Sequence, residues 1–93
     1  MERTILIFFS SRRSGPARRM ESLLAHIARK EREHLAVKTV DVDERPEVAT
    51  RFRVGDAPAL VLVQGGRVVA RLDGRVTTPR IEEMLDLHLR VPA

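Results

Sequence analysis

Five consecutive apolar residues, Ile5-Leu6-Ile7-Phe8-Phe9, stand near the start of the chain and stop at Ser10-Ser11. A strand with one wet face alternates apolar and polar residues, whereas an unbroken β-prone run needs cover on both faces. That requirement sets the architecture: a central strand with a layer above it and a layer below it. The same run is too short for the apolar stretch of a secretory leader and far too short to span a bilayer. The expectation is a cytoplasmic protein with no membrane partner.

The rest of the chain supplies the layers. Gly15-Pro16 breaks it, and Met20, Leu23, Leu24 and Ile27 then follow at one-face helical spacing. Pro16 suits a first helical turn, and Ser14 is placed to cap it by accepting from an orphan N–H. The charged end Arg29-Lys30-Glu31-Arg32-Glu33 is expected to be a solvated face. Val37, Val40 and Val42 form a second strand closing at Asp41-Val42-Asp43, and the helix between the strands makes a right-handed parallel crossover the natural connection. Pro46 starts a short helix carrying Val48 and Phe52, and Gly55-Asp56-Ala57-Pro58 interrupts the chain again.

Leu60 to Val63, the Gly65-Gly66 turn and Val68 to Leu72 read as an antiparallel hairpin, with two glycines suited to a turn that needs positive φ. Arg67 and Arg71 are expected to point the same way on the last strand and to discourage edge pairing. Thr78-Pro79 opens a final helix with Ile81, Met84, Leu85 and Leu89 on one face. The order is βαβαββα: an α/β fold with a four-stranded mixed sheet flanked by helices, in one domain over residues 1–93.

A domain of 93 residues is only marginally stable. With no disulfide to staple it, burial against a second chain, a homodimer included, stays open. Seventeen basic residues against thirteen acidic ones give a formal charge of +4, and nearly all the basic residues are Arg, which favours bidentate contacts to carboxylates or phosphates. Yet Phe8, Phe9 and Phe52 are the only aromatic residues, so the platforms on which single-stranded nucleic acid stacks are nearly absent. Nucleic acid is not the expected partner. The chain also contains no cysteine, which excludes thiol, disulfide and cysteine-metal chemistry.

Three stretches in this order carry a likeness. They are Phe9-Ser10-Ser11-Arg12-Arg13-Ser14-Gly15-Pro16-Ala17, Val42-Asp43-Glu44-Arg45-Pro46, and Val54-Gly55-Asp56-Ala57-Pro58-Ala59-Leu60. From about Thr4 to Leu89 the chain resembles a thioredoxin-like domain trimmed of that family's extra first strand and helix. The first stretch falls where the family has its Cys-Gly-Pro-Cys motif, here Ser14-Gly15-Pro16-Ala17. The second matches the step into the short helix. The third matches the loop whose proline is cis in the family, which implies a cis bond before Pro58. Gly74 falls on the family glycine that lets a partner backbone approach.

The departures are as informative. Ser14 replaces the nucleophilic cysteine, Ala17 the resolving one, Phe8 the buried acid and Arg13 a frequent tryptophan. Disulfide exchange needs one thiolate to attack and a second thiol to resolve the mixed disulfide. A serine and an alanine do neither, and without a proton to shuttle the buried acid has no use.

Ser14 as a hydrolytic nucleophile needs a base in reach. His26 lies twelve residues along the same helix, about 18 Å by helical rise. His26, His34 and His88 share no metal-ligand spacing and read as surface or helix-flank residues. Asp41, Asp43, Glu44 and Glu47 crowd the end of the second strand, where helix-start acids suit the dipole better than a cation, so no metal is expected. Arg12, Arg13, Arg18 and Arg19 flank the start of the first helix with Ser10, Ser11 and Ser14, and make a candidate anion site.

These readings converge on a redox-inactive thioredoxin-like module with no cofactor and no catalytic residue. The resemblance implies that it binds a protein or peptide in a groove between Ser14 and Ala57-Pro58, with Gly74 beside it. Two alternatives stand: a cysteine-substituted form of a thiol-disulfide oxidoreductase of cell redox homeostasis, and an anion or nucleic-acid binder using the arginine cluster. Leu87, off the apolar face of the last helix, is the candidate contact for self-association.

Overall fold

The computed structural model describes residues 3–89. Along the chain come β1 (Thr4–Ser10), α1 (Gly15–Lys30), β2 (Ala36–Asp41), α2 (Pro46–Arg51), β3 (Ala59–Gln64), β4 (Arg67–Asp73) and α3 (Thr78–Leu89). The strands form one sheet in the order β2-β1-β3-β4. β1 is parallel to β2 and antiparallel to β3, which is antiparallel to β4. The expected βαβαββα order and mixed sheet are both present. α1 carries the chain back across the sheet between β1 and β2, as a parallel pair requires. Gly65 and Gly66, at φ 57° and 79°, close the hairpin.

β1 lies second in the sheet and is covered on both sides, as its unbroken apolar run demands. Leu6 and Phe8 pack with Ala17, Met20, Leu24 and Ile27 of α1 and with Ile81, Met84 and Leu85 of α3. Ile7 and Phe9 face the other way, into a smaller cluster with Ala49, Val54, Ala59 and Val61. There the Phe9 and Phe52 rings lie tilted with centroids 5.8 Å apart. Lys30 and Glu82 pair at 3.1 Å between α1 and α3, an exposed contact of small energetic weight.

Three expectations are corrected. Glu31, read as part of a solvated charged run, is 4% exposed. As the C-cap of α1 it continues the buried stripe of Met20, Leu24 and Ile27, and its backbone carbonyl accepts from the N–H groups of His34 and Leu35 as the chain turns toward β2. The second strand ends at Asp41 and not Asp43. Asp41 Oδ1 accepts from the N–H groups of Asp43 and Glu44 and turns the chain there.

Arg67 and Arg71, thirdly, do not share a face. The register shifts between Leu62/Val63, with Leu62 opposite Ala70 but Val63 opposite Val68, so Val69 is an extra residue on β4. A bulge of this kind resets the alternation. Arg71 thereby stands beside Val61 on the α2 side, while Arg67, opposite Gln64, stands on the other.

Arg71 uses that position to fasten two parts of the chain. Its guanidinium donates to both carboxylate oxygens of Asp73, at 2.9 and 3.3 Å, and to the backbone carbonyls of Phe52 and Arg53, each at 3.1 Å. The segment that leaves α2 is thus held to β4.

Candidate functional site

Pro58 and Gly74 meet at one end of the sheet, and Ser14 starts the helix that follows β1 at that same end. β1 runs out at Ser10, β3 begins at Ala59, and β4 finishes at Asp73. Because Phe9 lies opposite Ala59 and Ala59 opposite Asp73, the residues just beyond these three positions are neighbours in space. The Gly74 N–H donates to the Pro58 carbonyl at 2.9 Å. The Ala57–Pro58 peptide bond is cis.

Ser14 is the N-cap of α1. Its backbone is extended (φ −100°, ψ 111°), and its Oγ accepts from the Ala17 N–H at 3.1 Å. Pro16 lies in the first turn, where its missing N–H removes no helical bond. Ala17 is fully buried against the larger core cluster. The Ser14 hydroxyl therefore serves as a structural acceptor, and His26 lies exposed further along the helix. Ser14→Ala should cost about 1 kcal/mol, a fall in Tm of about 4–8 °C for a domain of this size. Thermal melts followed by circular dichroism check this, and an unchanged Tm would deny the cap its role.

On the Ala57 side the chain offers unused backbone. Ala57 is half-buried, its methyl packed at the edge of the larger cluster. Among the described residues no hydrogen bond engages its N–H or its C=O. Gly74 has φ 79°, a conformation that favours glycine, and a Cβ there would meet nothing within 4 Å. The space beside Gly74 is open.

The arginine cluster is dispersed by comparison. Arg12 reaches Glu44 at 3.7 Å with both side chains largely exposed, and Arg13 projects into solvent. Arg18 and Arg19 line a shallow concavity of about 360 Å³ with Gly15 and Glu21. Ser10 and Ser11 are buried. Ser11 Oγ donates to Asp43 Oδ2 at 2.6 Å and accepts from the Arg13 N–H at 3.1 Å. That bond brings a carboxylate to the place where the sequence suggested an anion. Asp43 is the site residue that sequence reasoning missed; its acidic neighbours pointed to a metal or a helix dipole, not to a serine across the sheet end. Among the described residues no group of three or more His, Asp or Glu side chains is arranged to hold a metal ion. No helix there is long and apolar enough to cross a membrane.

The family model for thioredoxin matches residues 1–87. Thioredoxin of Alicyclobacillus acidocaldarius subsp. acidocaldarius is 31% identical over 84 residues, covering 90% of this chain and 80% of that protein. A bifunctional thioredoxin reductase/thioredoxin of Mycobacterium leprae (strain TN) is 37% identical over 70 residues. That match covers 75% of this chain but only 15% of the relative, so the chain corresponds to a small part of that protein. Among solved structures, a mutant thioredoxin from Halobacterium salinarum NRC-1 shares the fold with a TM-score of 0.87 at 24% identity, covering 97% of this chain and 78% of that one.

Proposed function

Because this chain belongs to the thioredoxin family and contains no cysteine, we infer that it keeps the family's scaffold for binding and not for redox chemistry. It takes an extended segment of a protein or peptide in the groove between the Ser14 loop and the Ala57–Pro58 loop. The observation that carries this reading is the Ala57 main chain, whose N–H and C=O have no partner among the described residues. An extended peptide satisfies such groups by pairing backbone to backbone, and side chains then set the preference. The glycine conformation at Gly74 supports it by leaving room for that peptide.

The chemistry of disulfide exchange is closed to the chain as it stands, since neither Ser14 nor Ala17 supplies a sulfur. The anion reading draws less support, because Ser11 and Arg12 are each engaged by a carboxylate.

Titrating the isotopically labelled protein with a pool of unstructured peptides of varied sequence tests the groove. Chemical-shift changes centred on Ser14, Ala57 and Gly74 are expected. Changes confined to the opposite end of the sheet would remove this reading.

A further inference from the structure

The two faces of the sheet are covered unequally. α1 and α3, of 16 and 12 residues, fill one face, while the other carries only α2, of 6 residues, with Phe52 and Val54. A helix of that length reaches about 9 Å, and a seven-residue strand such as β1 runs for about 23 Å. Burial records the shortfall. Along β1 it goes from Phe9 at 0% exposed to Ile7 at 9% and then to a partly exposed Ile5; along β3 it goes from Ala59 at 0% to Val61 at 1% and a partly exposed Val63. On the outer strand Val68 is 52% exposed.

The pairing register puts Ala36, Ile5, Val63 and Val68 in one row across all four strands. This apolar row lies at the end of the face that α2 does not reach. It is bordered by cations. Lys38, beside Ile7 on the same face, is exposed, and so is Arg3, two residues before Ile5. At the same end of the sheet a cleft of about 490 Å³, lined by Arg3, Arg32 and His34 with one acid, Glu33, opens on the α1 side and shares only Ala36 with the row.

We propose that this open end of the sheet face docks an amphipathic helix of another polypeptide, its apolar stripe on Ile5, Val63 and Val68 and its acidic flank toward Arg3 and Lys38. A sheet face is covered by side chains from a packed layer, and a helix supplies them without needing a free backbone edge. The outer strand resists the other route, edge pairing, through its bulge at Val69 and its arginines. Charge selects the flank: a chain of formal charge +4 with this basic border attracts an acidic helix. A second copy would bring the same cations to the contact. The surface is separate from the groove, since Ile5 and Phe9 are four residues apart on β1, about 13 Å.

The probe is a synthetic peptide of about 18 residues, long enough to hold a helix, with leucines at helical spacing flanked by glutamates. Fluorescence anisotropy and shift mapping should show it binding with changes at Ile5, Lys38, Val63 and Val68. Val68→Asp, at an exposed position, should weaken it about tenfold or more, Lys38→Glu should weaken it too, and Ala57→Asp in the groove should leave it unchanged. A peptide with lysines in place of the glutamates should bind far less. The proposal is overturned by equal binding of the two peptides, by no binding of the acidic one, or by shift changes confined to the Ser14–Pro58 end. It is also overturned by a concentration-dependent dimer that Val68→Asp abolishes, which would make a second copy the occupant.

Discussion

Carrying Ser14→Cys and Ala17→Cys together, the chain should reduce a soluble disulfide and close a bond between positions 14 and 17, where the unmodified chain does neither. Ser14 Oγ already accepts from the Ala17 N–H at the start of α1. A thiolate in its place takes the same N–H and the positive end of the helix dipole, both of which lower its pKa and favour attack. No acid lies in the first turn to oppose that charge. Residues three apart on a helix lie about 5 Å apart at Cα, inside the range a disulfide spans. Pre-reduced protein should consume about one equivalent of disulfide per chain and lose about 2 Da as its own bridge forms. Ser14→Cys alone should stop at the mixed disulfide. If the double variant stays dithiol in excess oxidant, the end of the sheet has lost more than its sulfurs.

The other large effect is at Phe8. Phe8→Asp should leave the chain unfolded at neutral pH. The ring is 1% exposed among α1, α3 and β3. Losing a buried Phe side chain costs about 3–5 kcal/mol, and a carboxylate left there unpaired adds the penalty of a buried charge. Domains of this length hold about 5–14 kcal/mol in all. The pH dependence separates the two contributions. A buried carboxyl has its folded-state pKa raised above the unfolded value, so the variant is most stable below about pH 4 and loses stability as pH rises through the folded pKa. Denaturant midpoints at acid and neutral pH check the sign. Phe8→Leu, which introduces no charge, should stay folded with a midpoint insensitive to pH over that range, and a Phe8→Asp midpoint equally flat would assign the loss to packing alone.

Much of this architecture is legible in local chemistry. The unbroken run at Ile5–Phe9 demanded cover on both faces and has it from Leu6 to Phe9. The spacing of Met20, Leu24 and Ile27, the cap at Ser14 and the paired glycines at 65 and 66 each dictate one local geometry, and the structure contains each. What escaped were features decided by distant partners. Nothing in Val68-Val69-Ala70 announces an extra residue, because a bulge is a relation between two strands. Glu31 looked solvated in a run of charges, yet its place as the helix cap put it on the inner stripe. Ser11 looked available to a ligand until the end of β2 brought Asp43 to it. A groove joining Ser14 to Ala57 and Pro58 rests on family likeness and not on residue physics, since no local rule joins two loops more than forty positions apart.

The grip of Arg71 has a further effect. It pins the chain at Phe52 and Arg53 to β4, and six residues after Arg53 Ala59 is pinned to the same strand through Asp73. The stretch from Val54 to Pro58 is therefore a short bridge with both abutments on one beam. Ala57, near the far end of that bridge, inherits its position from β4 as well as from the helix before it, and a variant that shifts this outer strand retunes the groove without touching any residue that lines it.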